Sequence, residues 1–180
     1  LESLNIAAIW ALPVVFVCEN NQYAITSPIV EMSRGSLADR AAAFGLEAEA
    51  VDGMDVAAVH EAATRAVTRA RAGGGASFLE CQTYRFDAHN TALRGIDLSY
   101  RTKEEIESWR ERDPLTLAAQ SLNAKDGWAS GDRTVMDAEV DAEIEDAIAQ
   151  ARNSAIPSAD TALEHMYART YPGFPAGVSE

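Results

Sequence analysis

Several things are scarce in this chain, and each scarcity excludes something. Cysteine occurs only twice among 180 residues, at Cys18 and Cys81, with no Cys-x-x-Cys and no Cys/His cluster. A zinc site is therefore not indicated, and the two thiols read as structural, strand-borne residues of a protein kept reduced. No apolar stretch is long enough to cross a bilayer. The longest runs from Ile6 to Cys18 and is interrupted by Pro13, and nothing resembles a signal peptide. Cationic residues are outnumbered, 15 Lys and Arg against 28 Asp and Glu, for a net charge of −13. That balance argues against a nucleic-acid backbone or an anionic membrane as the main partner. No Gly-x-Gly-x-x-Gly follows a strand-like run, so a plain dinucleotide-binding domain is disfavoured. Gly73-Gly74-Gly75 comes after a helical pattern rather than before one, which makes it a linker and not a phosphate cradle. No internal repeat is visible.

What is present is an alternation of strands and helices. Glu2–Ala11 reads as a helix leading into an apolar, β-branched strand, Val14–Glu19, with Pro13 placed just before it, where a missing N–H does no harm. Residues 19–30 read as a loop rich in Asn, Ser and Pro. Ser36-Leu-Ala-Asp39 has the pattern of a capping box and opens a short helix through Phe44, stopped by Gly45. Glu47–Val51 is a second strand and Asp52-Gly53 a turn, after which Asp55 caps a helix over Val56–Ala72. Val56, Val59, Ala63, Ala66, Val67 and Ala70 are its expected buried face. Ser77–Thr83 is a third strand, followed by a long polar loop, Tyr84–Arg101. Thr102-Lys-Glu-Glu105 is another capping-box pattern, and Asp113-Pro114 pairs a cap with proline at the first helical position. Lys125–Arg133 reads as a linker, Asp137–Arg152 as an amphipathic helix carrying Val140, Ile144, Ala147, Ile148 and Ala151, and Ser158–Tyr167 as a shorter helix. The expected fold class is α/β, the carboxyl-terminal half of a doubly wound, mostly parallel sheet with a helical tail. Residues 1–115 would hold the sheet core and a long loop, and 116–180 the tail. Leu1 is not a start methionine, and Leu1–Trp10 reads as the middle of a helix, so we expect a portion of chain upstream.

The most informative run is Leu12-Pro-Val-Val-Phe-Val-Cys-Glu-Asn20-Asn21-Gln-Tyr23-Ala-Ile25. Two adjacent amides fall at the carboxyl end of a strand, the place where open α/β sheets bind ligands. A side-chain amide and a following backbone carbonyl both offer neutral oxygens. Such oxygens suit a hard divalent cation that already carries a diphosphate. Taken alone, the pair also fits a simple Asx-turn.

This run, with Leu4-Asn-Ile-Ala-Ala-Ile-Trp10 before it, resembles the alpha subunit of the decarboxylating component of 2-oxo acid dehydrogenases, the group of pyruvate, branched-chain 2-oxo acid and acetoin dehydrogenases. The resemblance extends from Glu2 to about Leu115 and, more weakly, to the end. It implies a thiamine diphosphate-binding fold in which the strand ending in Asn-Asn is the second half of the cofactor motif. The Gly-Asp-Gly half, with its acidic metal ligand, would lie upstream of Leu1. Mapped by the Asn-Asn-x-Tyr spacing, Asn21 would bind Mg2+ through its side-chain oxygen and Tyr23 through its main-chain oxygen. Ile25 would pack on the cofactor or belong to the core.

Thr83-Tyr-Arg85-Phe-Asp87-Ala88-His89-Asn90 resembles the family's Tyr-Arg-x-x-Gly-His-Ser segment, which opens the loop over the active-site channel. The resemblance puts His89 near the diphosphate and the reacting carbonyl, where an imidazole can donate to an oxyanion, and makes Arg85 a candidate anion partner. Ala88 replaces the usual glycine, Asp87 is unusual, and Asn90 stands where relatives carry a phosphorylatable serine. The implied activity is oxidative decarboxylation of pyruvate or a related 2-oxo acid with acyl transfer to lipoamide. The implied partners are a beta subunit, in an assembly of two alpha and two beta chains, and a lipoyl acyltransferase. The implied compartment is the cytoplasm, or the mitochondrial matrix in a eukaryote, and this stretch of chain alone would be inactive. Two alternatives stay open: the same chemistry on acetoin or another α-hydroxy ketone, and a degenerate, non-catalytic subunit, for which Asp87-Ala88 is the main support.

Overall fold

The computed structural model describes residues 1–90, 100–124, 128–129 and 131–161. The chain divides into two compact units, 1–128 and 129–180.

The first unit is built on a three-stranded parallel sheet. Its strands are β1 (Val15–Asn20), β4 (Glu47–Asp52) and β5 (Ser77–Gln82), ordered β1-β5-β4. Val15 and Glu47 both lie opposite Ser77, so the three strands run in register and end together at Asn20, Asp52 and Gln82. Parallel strands need long crossovers. Helix α4 (Val56–Arg71) is the crossover from β4 to β5, and it packs on one face through Ala62 and Ala66 against Leu79, Cys81, Val15 and Val51. The other face is covered by α1 (Glu2–Ile9), whose Ala7 packs with Leu46, Ala76, Val14, Phe16 and Phe78, and by α3 (Leu37–Ala42), whose Ala38 and Ala41 are buried. Helices on both faces of a parallel sheet are the α/β architecture the alternation implied.

The local start and stop signals hold. Ser36 Oγ accepts from Asp39 N–H at 3.2 Å, Asp55 accepts from Ala57 and Ala58 N–H at 2.9 and 3.2 Å, and Asp113 accepts from Leu115 N–H at 2.8 Å at the head of α6 (Pro114–Asn123). Gly45 and Gly73 take φ of +87° and +75° after their helices. Gly53 has a stricter reason to be glycine: a Cβ there would sit 2.9 Å from the Gln82 carbonyl oxygen, because Gly53 N–H donates to that oxygen at 2.8 Å.

Three expectations need correction. The buried arc of α4 is centred on Ala62, Ala66 and Ala70, with Val56 and Val67 exposed at its rim; small alanines let the helix lie close on the sheet, so the larger valines fall outside the contact. Residues 19–30 are not merely loop: they hold a hairpin of β2 (Tyr23–Ala24) and β3 (Ser27–Pro28), then a single turn of helix, α2 (Ile29–Met32). Two-residue strands are too short to show an alternating pattern. In the second unit, α7 spans Asp132–Asn153, starting five residues before the expected Asp137, and its Val140 and Ile144 are each 51% exposed. Of the expected 158–167 helix, the described residues 158–161 hold only a 3-10 turn at Ala159–Thr161; residues 162–167, His165 included, lie outside the described residues, as does the 91–99 part of the long loop.

Candidate functional site

The three strand ends define one edge of the sheet, and the β2–β3 hairpin stands on it directly after Asn20. The two neighbouring asparagines serve different purposes there. Asn20 is wholly engaged: its Nδ2 donates to Glu80 Oε1 at 2.8 Å, its Oδ1 accepts from Gln22 N–H at 3.2 Å, and its carbonyl accepts from Gln22 Nε2 and Thr83 N–H. Asn21 makes the next Asx-turn, its Oδ1 accepting from Tyr23 N–H at 3.1 Å. An amide oxygen has two lone pairs, so that single bond leaves acceptor capacity.

The hairpin's own ladder decides where the Tyr23 carbonyl points. Bonded and non-bonded pairs alternate in an antiparallel ladder. Ile29 N–H donates to the Gln22 carbonyl at 2.8 Å, and Tyr23 lies opposite Pro28, which has no N–H. Tyr23 therefore takes a non-bonded position, and its N–H and carbonyl face the outer side of the hairpin. That is the side on which the N–H meets Asn21 Oδ1. Two neutral oxygens so placed fit a hard, octahedral cation that takes its remaining oxygens from elsewhere. No group of three or more His, Cys, Asp or Glu capable of holding a metal occurs among the described residues.

Tyr23's side chain joins an aromatic cluster with Tyr84, Tyr100 and Trp109 from the segments after β5; the Tyr23 and Tyr84 ring centroids are 6.0 Å apart and nearly perpendicular. Its phenol donates to Glu105 Oε1 at 2.7 Å, and Tyr84 donates to the same oxygen at 3.0 Å. Burial first, then the bond to Glu105, pushes the Tyr23 hydroxyl up to about 12, and the same causes raise Tyr84. Arg101 lies over the rings of Tyr23, Tyr84 and Tyr100 at 5.2–5.7 Å and donates to the carbonyls of Arg85, Phe86 and Asp87. Arg85 in turn donates to the Ile25 carbonyl at 2.5 Å and to Tyr100 Oη at 3.2 Å.

Ile25 is 57% exposed, so it is not core. It opens the two-residue loop of the hairpin with φ of +58°, a conformation that a β-branched residue adopts only under strain. Asn21, Tyr23, Ile25 and Arg85 are thus brought together on one hairpin and the segment tied to it. His89 is exposed, and among the described residues no hydrogen bond joins it to that hairpin. His60 is exposed on α4. Cys18 and Cys81 lie in β1 and β5 as expected, and burial raises both thiols, in keeping with inert structural roles.

Sequence reading alone did not single out Glu80, Glu105 or Arg101. Glu80 had a signal, an acid interrupting the run Phe78–Cys81 of a buried strand. Glu105 was masked by its position. Thr102 Oγ1 does accept from Glu105 N–H at 3.1 Å, heading α5 (Lys103–Arg110), but the Glu105 carboxylate serves the two phenols instead of closing the capping box.

The profile of the dehydrogenase E1 component family matches residues 1–160. The chain belongs to this family. Over 169 residues it is 41% identical to the alpha subunit of acetoin:2,6-dichlorophenolindophenol oxidoreductase from Cupriavidus necator, covering 93% of this chain and 50% of the relative. It is 36% identical to the pyruvate dehydrogenase E1 component subunit alpha of Rhizobium meliloti, covering 92% and 46%, and 35% identical to the 2-oxoisovalerate dehydrogenase subunit alpha of Bacillus subtilis, covering 93% and 51%. The chain spans about half the length of these relatives. Its parallel sheet with helices on both faces is the architecture expected of this part of an E1 component.

Proposed function

We propose that this chain is part of an E1 alpha subunit that holds Mg2+ and thiamine diphosphate for the oxidative decarboxylation of pyruvate or a related 2-oxo acid, passing the acyl group to lipoamide on a lipoyl acyltransferase. The partner is a beta subunit, in an assembly of two alpha and two beta chains. The observation that carries the reading is the pair of outward oxygens, Asn21 Oδ1 and the Tyr23 carbonyl, on a hairpin at the carboxyl edge of the sheet. When bound, the cofactor supplies carbanion stabilisation at the oxo carbon.

This chain's residues would do the rest. Asn21 and Tyr23 contribute two cation oxygens without adding negative charge beside a diphosphate. The Ile25 side chain, exposed at the tip, offers an apolar surface for the cofactor, and Arg85 braces that tip through the Ile25 carbonyl. The Arg85 side chain is also our candidate anion partner. His89, on the segment that follows β5, would donate a proton or hydrogen bond to substrate or acceptor.

A second reading has one observation in its favour: the 41% identity to the acetoin relative exceeds the 36% and 35% to the pyruvate and 2-oxoisovalerate relatives. The full-length chain assembled with its beta subunit decides between them on a panel of pyruvate, branched-chain 2-oxo acids and acetoin. Turnover of 2-oxo acids supports the main reading, turnover of acetoin alone supports the second, and inactivity on all refutes both. Asn21→Ala should weaken Mg2+-dependent cofactor binding by about tenfold or more. His89→Ala should retain the cofactor but lose acyl transfer to lipoamide by roughly 10²-fold or more.

A further inference from the structure

Glu80 is a charged side chain, 3% exposed, in the middle strand of a parallel sheet. Burying a carboxylate is costly unless hydrogen bonds compensate. Here three donors converge on it: Asn20 Nδ2 at 2.8 Å on Oε1, and Ala38 N–H at 3.0 Å and Ser36 Oγ at 3.3 Å on Oε2. One oxygen thus serves the turn at the end of β1 and the other the first turn of α3.

The bond to Asn20 does more than satisfy Glu80. Because Nδ2 must face an acceptor-only carboxylate, Oδ1 must face the other way, where it receives Gln22 N–H. Gln22 takes φ of +71°, which an L-residue does not adopt without support. Gln22 lies between Asn21 and Tyr23, the two residues that offer oxygens to the cation. We propose that Glu80 is a positioning residue: by fixing which way the Asn20 amide faces, it sets the turn that aims Asn21 Oδ1 and the Tyr23 carbonyl. This inference rests on the cation-binding reading above.

Hydrogen-bond chemistry supplies a specific test. Glu80→Gln keeps the shape but replaces one acceptor by a donor. If the new amide nitrogen faces α3 it meets Ala38 N–H. If it faces β1 it forces the Asn20 amide to flip, and Asn20 Nδ2 then meets Gln22 N–H. Either way one buried donor is left without an acceptor. The double exchange Asn20→Asp with Glu80→Gln restores every bond. The introduced amide nitrogen on β5 donates to one oxygen of the introduced carboxylate on β1, whose other oxygen accepts from Gln22 N–H. The introduced amide oxygen accepts from Ala38 and Ser36. Total charge is unchanged.

The measurement is Mn2+ affinity in the presence of thiamine diphosphate, read from the electron paramagnetic resonance signal of free Mn2+. It uses the full-length chain assembled with its beta subunit, well below the melting temperature. Glu80→Gln should weaken Mn2+ binding by roughly tenfold, the low end of the loss seen when hydrogen-bonding groups beyond a metal's own ligands are removed, because Glu80 reaches the two oxygens only through Asn20 and Gln22. The double exchange should recover most of it. A merely structural role for Glu80 would lower the melting temperature and leave the Mn2+ affinity alone. If Glu80→Gln does not fold, Asn20→Ala carries the same test, with weakened Mn2+ binding expected. Affinities of Glu80→Gln or Asn20→Ala within twofold of the unmodified protein overturn the proposal, as does a double exchange as weak as Glu80→Gln. Asn21→Ala separates the two readings. If Asn21→Ala binds Mn2+ normally, it is the cation site that is wrong; if Asn21→Ala is weak while Glu80→Gln is normal, it is the positioning role.

Discussion

Replacing Glu105 by alanine tests whether the hairpin is held by the aromatic cluster behind it. One oxygen of this half-buried side chain accepts from both Tyr23 and Tyr84, at 2.7 and 3.0 Å. A hydrogen bond to a charged acceptor contributes about 1.5–3 kcal/mol when well buried. Water reaches this site in part, so about 1 kcal/mol per phenol is the better figure, and Glu105→Ala should cost about 2 kcal/mol. Tyr23→Phe removes one of the two bonds but keeps its ring against Tyr84 and Tyr100, so it should cost about 1 kcal/mol. In the double variant the Tyr23 hydroxyl has no carboxylate left to lose, giving a coupling of about 1 kcal/mol in the cycle. Denaturant midpoints of the full-length chain measure these values.

A spectroscopic titration of phenolate adds a second readout for the same variants. Tyr23 is pushed up to about 12 in the fold, above the usual phenol value of about 10. The folded state thus favours the neutral phenol. Its contribution is complete below about pH 10 and is lost as the pH rises through about 12. Glu105→Ala should bring Tyr23 and Tyr84 down toward the usual value, with burial still holding them somewhat above it. A Glu105→Ala chain with an unchanged midpoint and an unchanged phenolate titration would refute the bonding scheme.

Ile25→Gly should relieve the strain at φ of +58° and stabilise the chain by up to about 1 kcal/mol in thermal or chemical unfolding, while weakening cofactor binding if the side chain is kept for that contact. A loss of stability instead would mean that the tip is not strained. Gly53→Ala should destabilise by about 2 kcal/mol or more, because its Cβ would meet the Gln82 carbonyl oxygen at 2.9 Å; a neutral change in melting temperature would contradict that close approach.

Much of this protein was legible from local chemistry. Helix caps such as Ser36, Asp55, Thr102 and Asp113 act on backbone groups two or three residues away, so the pattern of residue types is enough to find them. The β–α–β order and hence the parallel sheet follow from short apolar runs separated by a sixteen-residue helical pattern. The run ending in Asn20-Asn21 marked the strand end and the family together. Relations between distant residues were not legible. That Asn20 is consumed inside the protein while Asn21 keeps a free lone pair depends on Glu80, sixty residues away. That Tyr23 turns its carbonyl outward depends on Pro28 and Ile29 across a hairpin too short to leave a pattern. That Glu105 abandons its capping role depends on two phenols brought to it by other segments. Sequence by itself determined the three sheet strands, the capped helices and the chemistry on offer at the sheet edge, because propensity and capping act over a few residues. Only the tertiary structure decided which oxygens face outward and what holds them, because a hydrogen bond is spent on whichever partner the fold brings within reach.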